Sequence, residues 1–276
     1  MKTLFISDLD GTLLTLKETV SPYTLEHINQ LIDGEGLQFT YATARSRNSA
    51  AKACWGLRQN LPVILYNGAV IMQPDDGKML FNNHFNRAQL AFLRELFSRF
   101  GVLPLVYSFR GTWERVSWLQ GKETEGMLRY LERRRGDSRL HPVAGENDLA
   151  GDDIFYFNCI GRKEDLQGLA DAVSASLDMK CIFEQETYHT DYWCEIMPAS
   201  TSKGAAAHVL RELLGAEKLV SFGDGKNDRD LFLASDECYA VQNAADELKQ
   251  IATSVIGYSE EDSVAKFLMQ NLHKYN

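Results

Sequence analysis

Short apolar segments alternate with helical segments near both ends of the chain, and this alternation restricts the possible fold more than any other feature. Thr3–Ser7 has the length and composition of a buried strand, and the segment that begins at Ser21 has apolar residues at helical spacing. Residues 37–42 form a second strand-like run. A strand, a helix and a second strand in this order predict a parallel β-α-β unit. Because the alternation returns after Pro198, we expect the two ends of the chain to form one doubly wound α/β core with a parallel sheet.

The middle of the chain has a different pattern. From about residue 86, aromatic strand-like runs are adjacent in sequence and are separated by helical segments. This order is typical of an α+β domain. We therefore expect residues 84–188 to form an inserted α+β domain, and residues 1–83 and 189–276 to form the core.

The composition argues against several classes of partner. A net charge of −9 over 276 residues does not suit nucleic acid, because phosphate backbones are bound by clustered Lys and Arg side chains. No stretch approaches the ~18 apolar residues of a membrane span, so no membrane partner is expected. The five cysteines are scattered without a CxxC pair, which predicts neither a disulfide framework nor a zinc site. Such cysteine usage favours a cytoplasmic protein.

Residues with reactive or charged side chains follow the predicted core strands. They are, in chain order, Asp8 and Asp10 after the first strand, Thr43 after the second, Lys203 at the start of a late helix, and residues 224–228 after a late strand. The carboxyl ends of parallel strands meet at one edge of the sheet, where ligands bind in open α/β folds. One acidic pair after a strand is more often a capping turn than a site, but the four positions together predict an active site.

Four short motifs at these positions resemble those of haloacid dehalogenase-type phosphohydrolases, in the same order along the chain. The motifs are DLDGTLL at residues 8–14, ATAR at residues 42–45, Ser-Lys-Gly at residues 202–204 and FGDGKND at residues 222–228. Because the insert falls between the second and third motifs, the chain is similar to the Cof-type subgroup, in which a Rossmann-like core carries a type IIB α+β cap. The turn at residues 67–69 and the segment 243–249 also resemble this subgroup. Ala44 departs from the family's usual Gly, and its retained backbone amide predicts a small effect.

The first motif supplies groups that react with a phosphate ester. An aspartate has an ordinary pKa of ~3.9 and is ionised at neutral pH, so Asp8 can attack phosphorus without a separate base and form an aspartyl phosphate. Asp10 has the reach to act as general acid on the leaving oxygen and then as general base on water. We therefore predict Asp8 as the nucleophile, Asp10 as the general acid and base, and Lys203 as a further catalytic residue.

The acidic residues also predict a metal site. Asp8, Asp224 and Asp228 would converge beside an anionic phosphate, and at ~4 Å each pair of like charges costs ~4 kcal/mol at an effective dielectric constant of ~20. Oxygen ligands next to a phosphate favour Mg²⁺. The resemblance implies that Asp8, Asp224 and the backbone carbonyl of Asp10 bind the ion, and that Asp228 acts through water or by orienting Lys203.

The remaining positions predict a set of phosphate-binding groups. The resemblance implies that the Thr43 hydroxyl, the Ala44 amide and Asn227 bind the phosphoryl oxygens. Lys203 would add a positive charge near a helix N-terminus. Two alternatives stay open for Arg45: it reaches a substrate oxygen, or it pairs with a carboxylate as a structural contact.

Together these residues predict a Mg²⁺-dependent phosphohydrolase that acts on a small phosphorylated metabolite, either a sugar phosphate or a phosphorylated cofactor. The insert carries no motif of this kind, so we expect it to act as a cap that excludes water and selects the leaving group. One alternative is a phosphomutase, which shares the phosphoryl site but returns the phosphate to a second hydroxyl. The other is a non-catalytic phospholigand-binding regulatory protein, which would have no need of a second carboxylate such as Asp10.

Overall fold

The chain divides into two compact units. The computed structural model describes residues 2–149, 153–186 and 189–275. The first unit, the core, comprises Met1–Phe81 and Ser202–Asn276, and the second unit, the insert, comprises Asn82–Thr201. Among the described residues, no helix has both the length and the apolar character needed to cross a membrane.

Both units contain strands and helices. The described strands are, in chain order, β1 (Thr3–Ser7), β2 (Gln38–Tyr41), β3 (Val63–Leu65), β4 (Val70–Met72), β5 (Met79–Asn82), β6 (Leu105–Arg110), β7 (Trp113–Leu119), β8 (Leu140–Val143), β9 (Ile154–Gly161), β10 (Met179–Gln185), β11 (Tyr192–Pro198), β12 (Lys218–Gly223), β13 (Glu237–Ala240) and β14 (Ser254–Val255). The described α-helices are α1 (Pro22–Glu35), α2 (Arg47–Ala53), α3 (Arg87–Phe100), α4 (Glu125–Arg133), α5 (Lys163–Ser174), α6 (Lys203–Leu214), α7 (Arg229–Ala234), α8 (Asp246–Lys249) and α9 (Ser263–Asn271).

One boundary of the insert lies close to its predicted position, and the other lies farther along the chain than predicted. The insert begins at Asn82, close to the expected residue 84. Its expected end, residue 188, lies outside the described residues, and the structure places the boundary after Thr201. The unit extends to Thr201 because β11 pairs with β9 and β10 of the insert.

The core contains a parallel sheet, which confirms the predicted fold class. Its strand order is β14-β13-β12-β1-β2, and its pairs are parallel. The chain moves from β1 to β2 on one side and later returns to β12 on the other side of β1. In open α/β sheets, ligands bind beyond the carboxyl ends of the strands at such a point of reversal. The ends of β1 and β12 therefore mark the place where a site is expected.

Helix α1 illustrates why the predicted core elements form where they do. The Ser21 hydroxyl accepts a hydrogen bond of 3.0 Å from the Thr24 amide and caps the helix. Pro22 occupies the first helical turn, where its missing N–H costs nothing. Gly36 ends the helix with φ 70°, a conformation that glycine adopts without strain. These local signals can be read from the sequence, and the helix lies where they predict it.

The insert contains a six-stranded sheet with strand order β10-β11-β9-β6-β7-β8. Neighbouring strands are antiparallel except β7 and β8, which run parallel. Helices α3 and α5 pack against one face, where their leucines form a hydrophobic core with Val106 and Phe157. Tyr130 of α4 shares a hydrogen bond with Tyr107, which lies on the opposite face of the sheet from Val106. The prediction of an α+β insert is confirmed.

Candidate active site

Asp8 lies at the carboxyl end of β1, next to the end of β12. Its backbone N–H donates a hydrogen bond of 2.9 Å to the carbonyl oxygen of Phe222, and its side chain is buried. The chain then turns at Gly11, which has φ 76°. A Cβ atom added to Gly11 would lie 2.3 Å from Oδ2 of Asp224. Glycine therefore allows the first motif and Asp224 to approach each other closely.

Lys203 places a buried positive charge beside this carboxylate. Its Nζ donates to Oδ1 of Asp8 at 2.5 Å and to Oδ1 of Asp228 at 2.6 Å, and its side chain is 0% exposed. The start of α6 positions it, because the Ser202 hydroxyl accepts a hydrogen bond from the Ala205 amide and caps the first turn. Burial of a charge costs free energy that close pairing must offset. Two carboxylates around one lysine provide that pairing.

Asp224 and Asp228 complete the acidic cluster from the loop after β12. Oδ2 of Asp228 accepts hydrogen bonds from the backbone N–H groups of Asp224 at 3.0 Å and of Gly225 at 2.9 Å. The Thr12 hydroxyl donates to Oδ1 of Asp224 at 3.0 Å. One carboxylate oxygen from each of Asp8, Asp224 and Asp228 lies within 4.8 Å of the others. The fold thus brings together the acidic residues of the first and last motifs, as the sequence predicts.

The electrostatics of the cluster favour an additional cation. Burial raises the pKa of Asp8 well above its ordinary value, the charge of Lys203 opposes the shift, and Asp228 adds to it. Burial also raises the pKa of Asp224. Burial acts to lower the pKa of Lys203, but the contacts with Asp8 and Asp228 outweigh that effect and raise it to about 12. One lysine thus faces three carboxylates, and these oxygen donors suit a hard divalent cation.

Arg45 contacts the second aspartate of the first motif. Its Nε donates to Oδ2 of Asp10 at 2.8 Å, and its Nη2 donates to Oδ1 at 2.5 Å. Nη2 also donates to Glu18 at 3.0 Å, and Nη1 donates to Ser49 at 3.2 Å. The Asp10 side chain is 51% exposed, whereas that of Arg45 is 15% exposed. Of the two alternatives for Arg45, the structure contains the carboxylate pair, which holds an otherwise solvent-exposed carboxylate in one orientation.

Comparison with known proteins assigns the family. The sequence profile of the haloacid dehalogenase-like hydrolases matches residues 5–268. The chain belongs to this family. The predicted superfamily and the predicted enzyme class, a phosphatase of the haloacid dehalogenase type, are confirmed.

The chain is similar to other haloacid dehalogenase-like proteins over almost its whole length. Two relatives from Bacillus subtilis are both named 5-amino-6-(5-phospho-D-ribitylamino)uracil phosphatase. One is 26% identical and covers 99% of this chain and 98% of its own, and the other is 25% identical and covers 97% and 96%. A crystal structure of a protein from Thermotoga maritima is 22% identical and has a TM-score of 0.77, with 98% of this chain and 97% of that chain covered. The structural similarity supports the fold.

The predicted phosphate-binding residues of this haloacid dehalogenase-like hydrolase lie on two loops that are connected through Asn67. Thr43 is buried, and its Oγ1 accepts a hydrogen bond of 3.1 Å from the Arg45 amide. The next residue, Ala44, is exposed. Asn227 donates through Nδ2 to Oδ1 of Asn67 at 3.1 Å, and the Asn67 N–H donates to the Thr43 carbonyl oxygen at 2.9 Å. Asn67 thus links the loop after β2 with the loop after β12.

The sequence-based site omits two asparagines that support it. Asn67 has φ 54° and precedes Gly68, where an added Cβ atom would lie 2.1 Å from the carbonyl oxygen of Ser202. Asn243 donates through Nδ2 to the carbonyl oxygen of Gly11 at 2.7 Å and holds the loop of the first motif. The signal for Asn67 is an Asn-Gly pair directly after a strand, because Asn tolerates the left-handed conformation. For Asn243, the signal is the resemblance of segment 243–249 to the family.

Proposed function

We propose that this chain is a Mg²⁺-dependent phosphatase of a small phosphorylated metabolite and that the reaction passes through an aspartyl phosphate on Asp8. The observation that carries the proposal is the buried contact of Lys203 with Asp8 and Asp228, at 2.5 and 2.6 Å, next to Asp224. A structural ion pair needs only one carboxylate for its lysine. A surplus of carboxylates at the switch point of a parallel sheet instead suits a site that takes up a cation and a phosphate.

The proposed reaction consists of two displacements at phosphorus. In the first, an oxygen of Asp8 bonds to phosphorus, the bond from phosphorus to the leaving oxygen breaks, and Asp10 gives its proton to that oxygen. In the second, Asp10 takes a proton from a water molecule whose oxygen attacks the aspartyl phosphate. Asp8 is then released together with inorganic phosphate, and both residues return to their starting states.

The phosphoryl oxygens would be bound by groups from several loops. We assign this role to the Thr43 hydroxyl, the Ala44 amide and Asn227. Lys203 adds a positive charge that stabilises both the carboxylate of Asp8 and the transferring group. Its complete burial supports this role, because the interaction of charges is stronger where water is excluded.

The acidic cluster fits a metal ion, which we propose to be Mg²⁺. Asp8, Asp224 and the backbone carbonyl of Asp10 would hold it, with Asp228 acting through water or by orienting Lys203. The 2.6 Å contact between Lys203 and Asp228 supports the second of these roles for Asp228. When bound, Mg²⁺ supplies positive charge that offsets the carboxylates and the phosphate.

Arg45 is proposed as a positioning residue for Asp10. Its guanidinium group makes two hydrogen bonds to the Asp10 carboxylate, at 2.8 and 2.5 Å, and it also donates to Glu18 and Ser49. A general acid must meet the leaving oxygen in one geometry, and a two-point contact restricts rotation of the carboxylate.

The substrate is proposed to be a sugar phosphate or a phosphorylated cofactor, and the location cytoplasmic. The names of the two Bacillus subtilis relatives support a phosphorylated cofactor precursor as one compound to test. The free cysteines of the described residues support a reducing compartment.

The test is turnover of p-nitrophenyl phosphate and of a panel of phosphorylated metabolites by the purified chain with Mg²⁺. We expect release of inorganic phosphate and a ranking of the metabolites by kcat/KM. Transfer of phosphate to a second hydroxyl without release would identify a phosphomutase. Binding without any turnover would identify a regulatory protein, and either result would refute the proposal.

A further inference from the structure

The insert contains a groove of about 530 Å³ that is lined by none of the predicted active-site residues. Residues of β6, β7 and β8, together with the turn that follows β8, line it. Its polar lining includes the side chains of Ser108, Arg110, Arg115, Ser117 and His141.

Strand register places these five side chains on one face of the sheet. Ser108 pairs with Arg115, and Ser117 pairs with His141. Because alternate residues of a strand share a face, Arg110 lies on the same face as Ser108, and Ser117 lies on the same face as Arg115. The groups therefore converge through backbone pairing, which holds them more rigidly than a loop would.

The same face has an apolar part and a polar part. Val106 pairs with Ser117 and belongs to the hydrophobic core beneath α3 and α5. Those helices pack over the part of the face that β9, β10 and β11 form, whereas the groove opens beside β6, β7 and β8. A solvent-facing sheet is ordinarily polar, so polarity alone does not indicate a binding site. The two arginines of the groove do indicate one, because of how they are paired.

Arg110 and Arg115 have no ion-pair partner within residues 2–149, 153–186 and 189–275. The neighbouring Arg139 shows the usual alternative, since it pairs with Glu114 and Asp137 at 2.6 Å each. A groove lined by two arginines that form no ion pair with any described residue contrasts with the net charge of −9 of the whole chain.

The other groups of the groove suit an oxyanion. Ser108 and Ser117 lie at its floor, 5% and 6% exposed, and each carries a hydroxyl donor. Nε2 of His141 lies 3.5 Å from Nη1 of Arg115, so the imidazole adds a further polar group beside the guanidinium. Asp148 also lines the groove and offsets one of the two arginine charges, which leaves the groove with a net positive charge.

The geometry points to a second anion site in this groove, which binds the phosphate group of a small metabolite without transferring it. The guanidinium fork of arginine matches phosphate oxygens in a two-point contact, and hydroxyl donors complete such sites. A volume of about 530 Å³ lies within the range of small-molecule sites, roughly 300–1,000 Å³, and leaves room for an organic part beside the phosphate.

The test uses the full chain carrying Asp8→Asn, so that the probe is not turned over at the proposed nucleophile. Inorganic pyrophosphate is titrated in without divalent metal, and the ring ¹H and ¹³C signals of His141 report on the groove. We expect a saturable shift of these signals. Arg115→Gln should weaken the dissociation constant by about tenfold or more, because it removes charge-assisted hydrogen bonds.

Arg162→Gln is the matched control, since Arg162 is an exposed arginine of the insert that pairs with Asp165. It should bind pyrophosphate like its parent. Arg110→Gln provides a second groove variant if Arg115→Gln fails to fold. Equal affinity of the groove variants and the control would overturn the proposal, as would an unchanged His141 signal up to about 10 mM pyrophosphate.

Malonate, a dicarboxylate, tests whether the groove binds phosphate groups or carboxylate groups. If malonate shifts the His141 signals and pyrophosphate does not, the groove is a carboxylate site and the phosphate assignment is wrong. The readout is binding in the insert, so its outcome is independent of whether the chain hydrolyses phosphate esters.

Discussion

The acidic cluster of the core and the groove of the insert differ in how their positive charges are paired. In the core, Lys203 is fully buried and contacts two carboxylates. In the insert, Arg110 and Arg115 line an open groove and have no ion-pair partner in the part of the chain that the structure describes. A buried charge without a partner costs several kcal/mol, so the core charges must be paired before any ligand arrives. An arginine that solvent can reach stays hydrated and can exchange its water for a ligand, which suits reversible recognition.

The strongest test of this contrast is Asp8→Asn in the core. The amide has the same size as the carboxylate but cannot accept the phosphoryl group, so turnover should fall by roughly 10⁴-fold or more. Lys203 keeps its contact with Asp228, and the fold should persist by circular dichroism. Asp165→Asn at an exposed position of the insert is the matched control. Substantial turnover by Asp8→Asn, with contamination excluded, would contradict covalent catalysis at this residue.

Removal of metal tests the acidic cluster as a unit. EDTA should abolish turnover. Without a metal ion, the three carboxylates of Asp8, Asp224 and Asp228 repel the substrate phosphate, and the buried charge of Lys203 offsets only part of this repulsion. Mg²⁺ should restore activity, and Ca²⁺ should restore it poorly because its larger and looser ligand shell alters the geometry. The measurement is initial rate against added metal. Full activity in EDTA would exclude a metal from the reaction.

Arg45→Gln separates the two alternatives for this arginine. If Arg45 positions Asp10, kcat for alkyl phosphates should fall by roughly 10–100-fold, while p-nitrophenyl phosphate, whose leaving group needs little protonation, should lose less. Arg45→Lys should lie between Arg45→Gln and the parent, since it keeps the charge but loses the two-point contact. A uniform loss over all esters with a raised KM would instead indicate that Arg45 binds the substrate phosphate.

A prediction of stability concerns a buried side chain of the insert. Asn158 is 1% exposed, and neither polar atom of its side chain has a hydrogen-bond partner among the described residues. Asn158→Leu should therefore stabilise the chain by about 1 kcal/mol or more, measured as the free energy of unfolding in urea. A lower free energy of unfolding for the variant would contradict the inference that the polar atoms of Asn158 are buried without hydrogen bonds.

Exposed positions of the insert test its expected role in selectivity. If the insert selects the leaving group, substitutions at such positions should change the ranking of substrates by roughly 10–200-fold in kcat/KM, with metal dependence unchanged. A loss by the same factor for every substrate would show that the insert acts as a lid or a stabiliser.

The amino-acid sequence predicts that the acidic residues of the core and Lys203 converge, because the signals for this are local. Asp8 and the loop that carries Asp224 and Asp228 follow strands, and Lys203 begins a capped helix. In a parallel sheet, the carboxyl ends of the strands lie at one edge. The convergence of these residues therefore follows once the alternation of strands and helices is recognised.

The tertiary structure determines the features that depend on which strand or side chain a residue pairs with. The β11 run is strand-like in the sequence, but hydrogen bonds can be made to any free strand edge, and only the fold assigns it to the insert sheet. Arg45 has the reach to meet either a substrate or a carboxylate, and its partner Asp10 comes from another strand end. The groove likewise depends on the register of β6, β7 and β8, since residues far apart in sequence become neighbours only through interstrand hydrogen bonds.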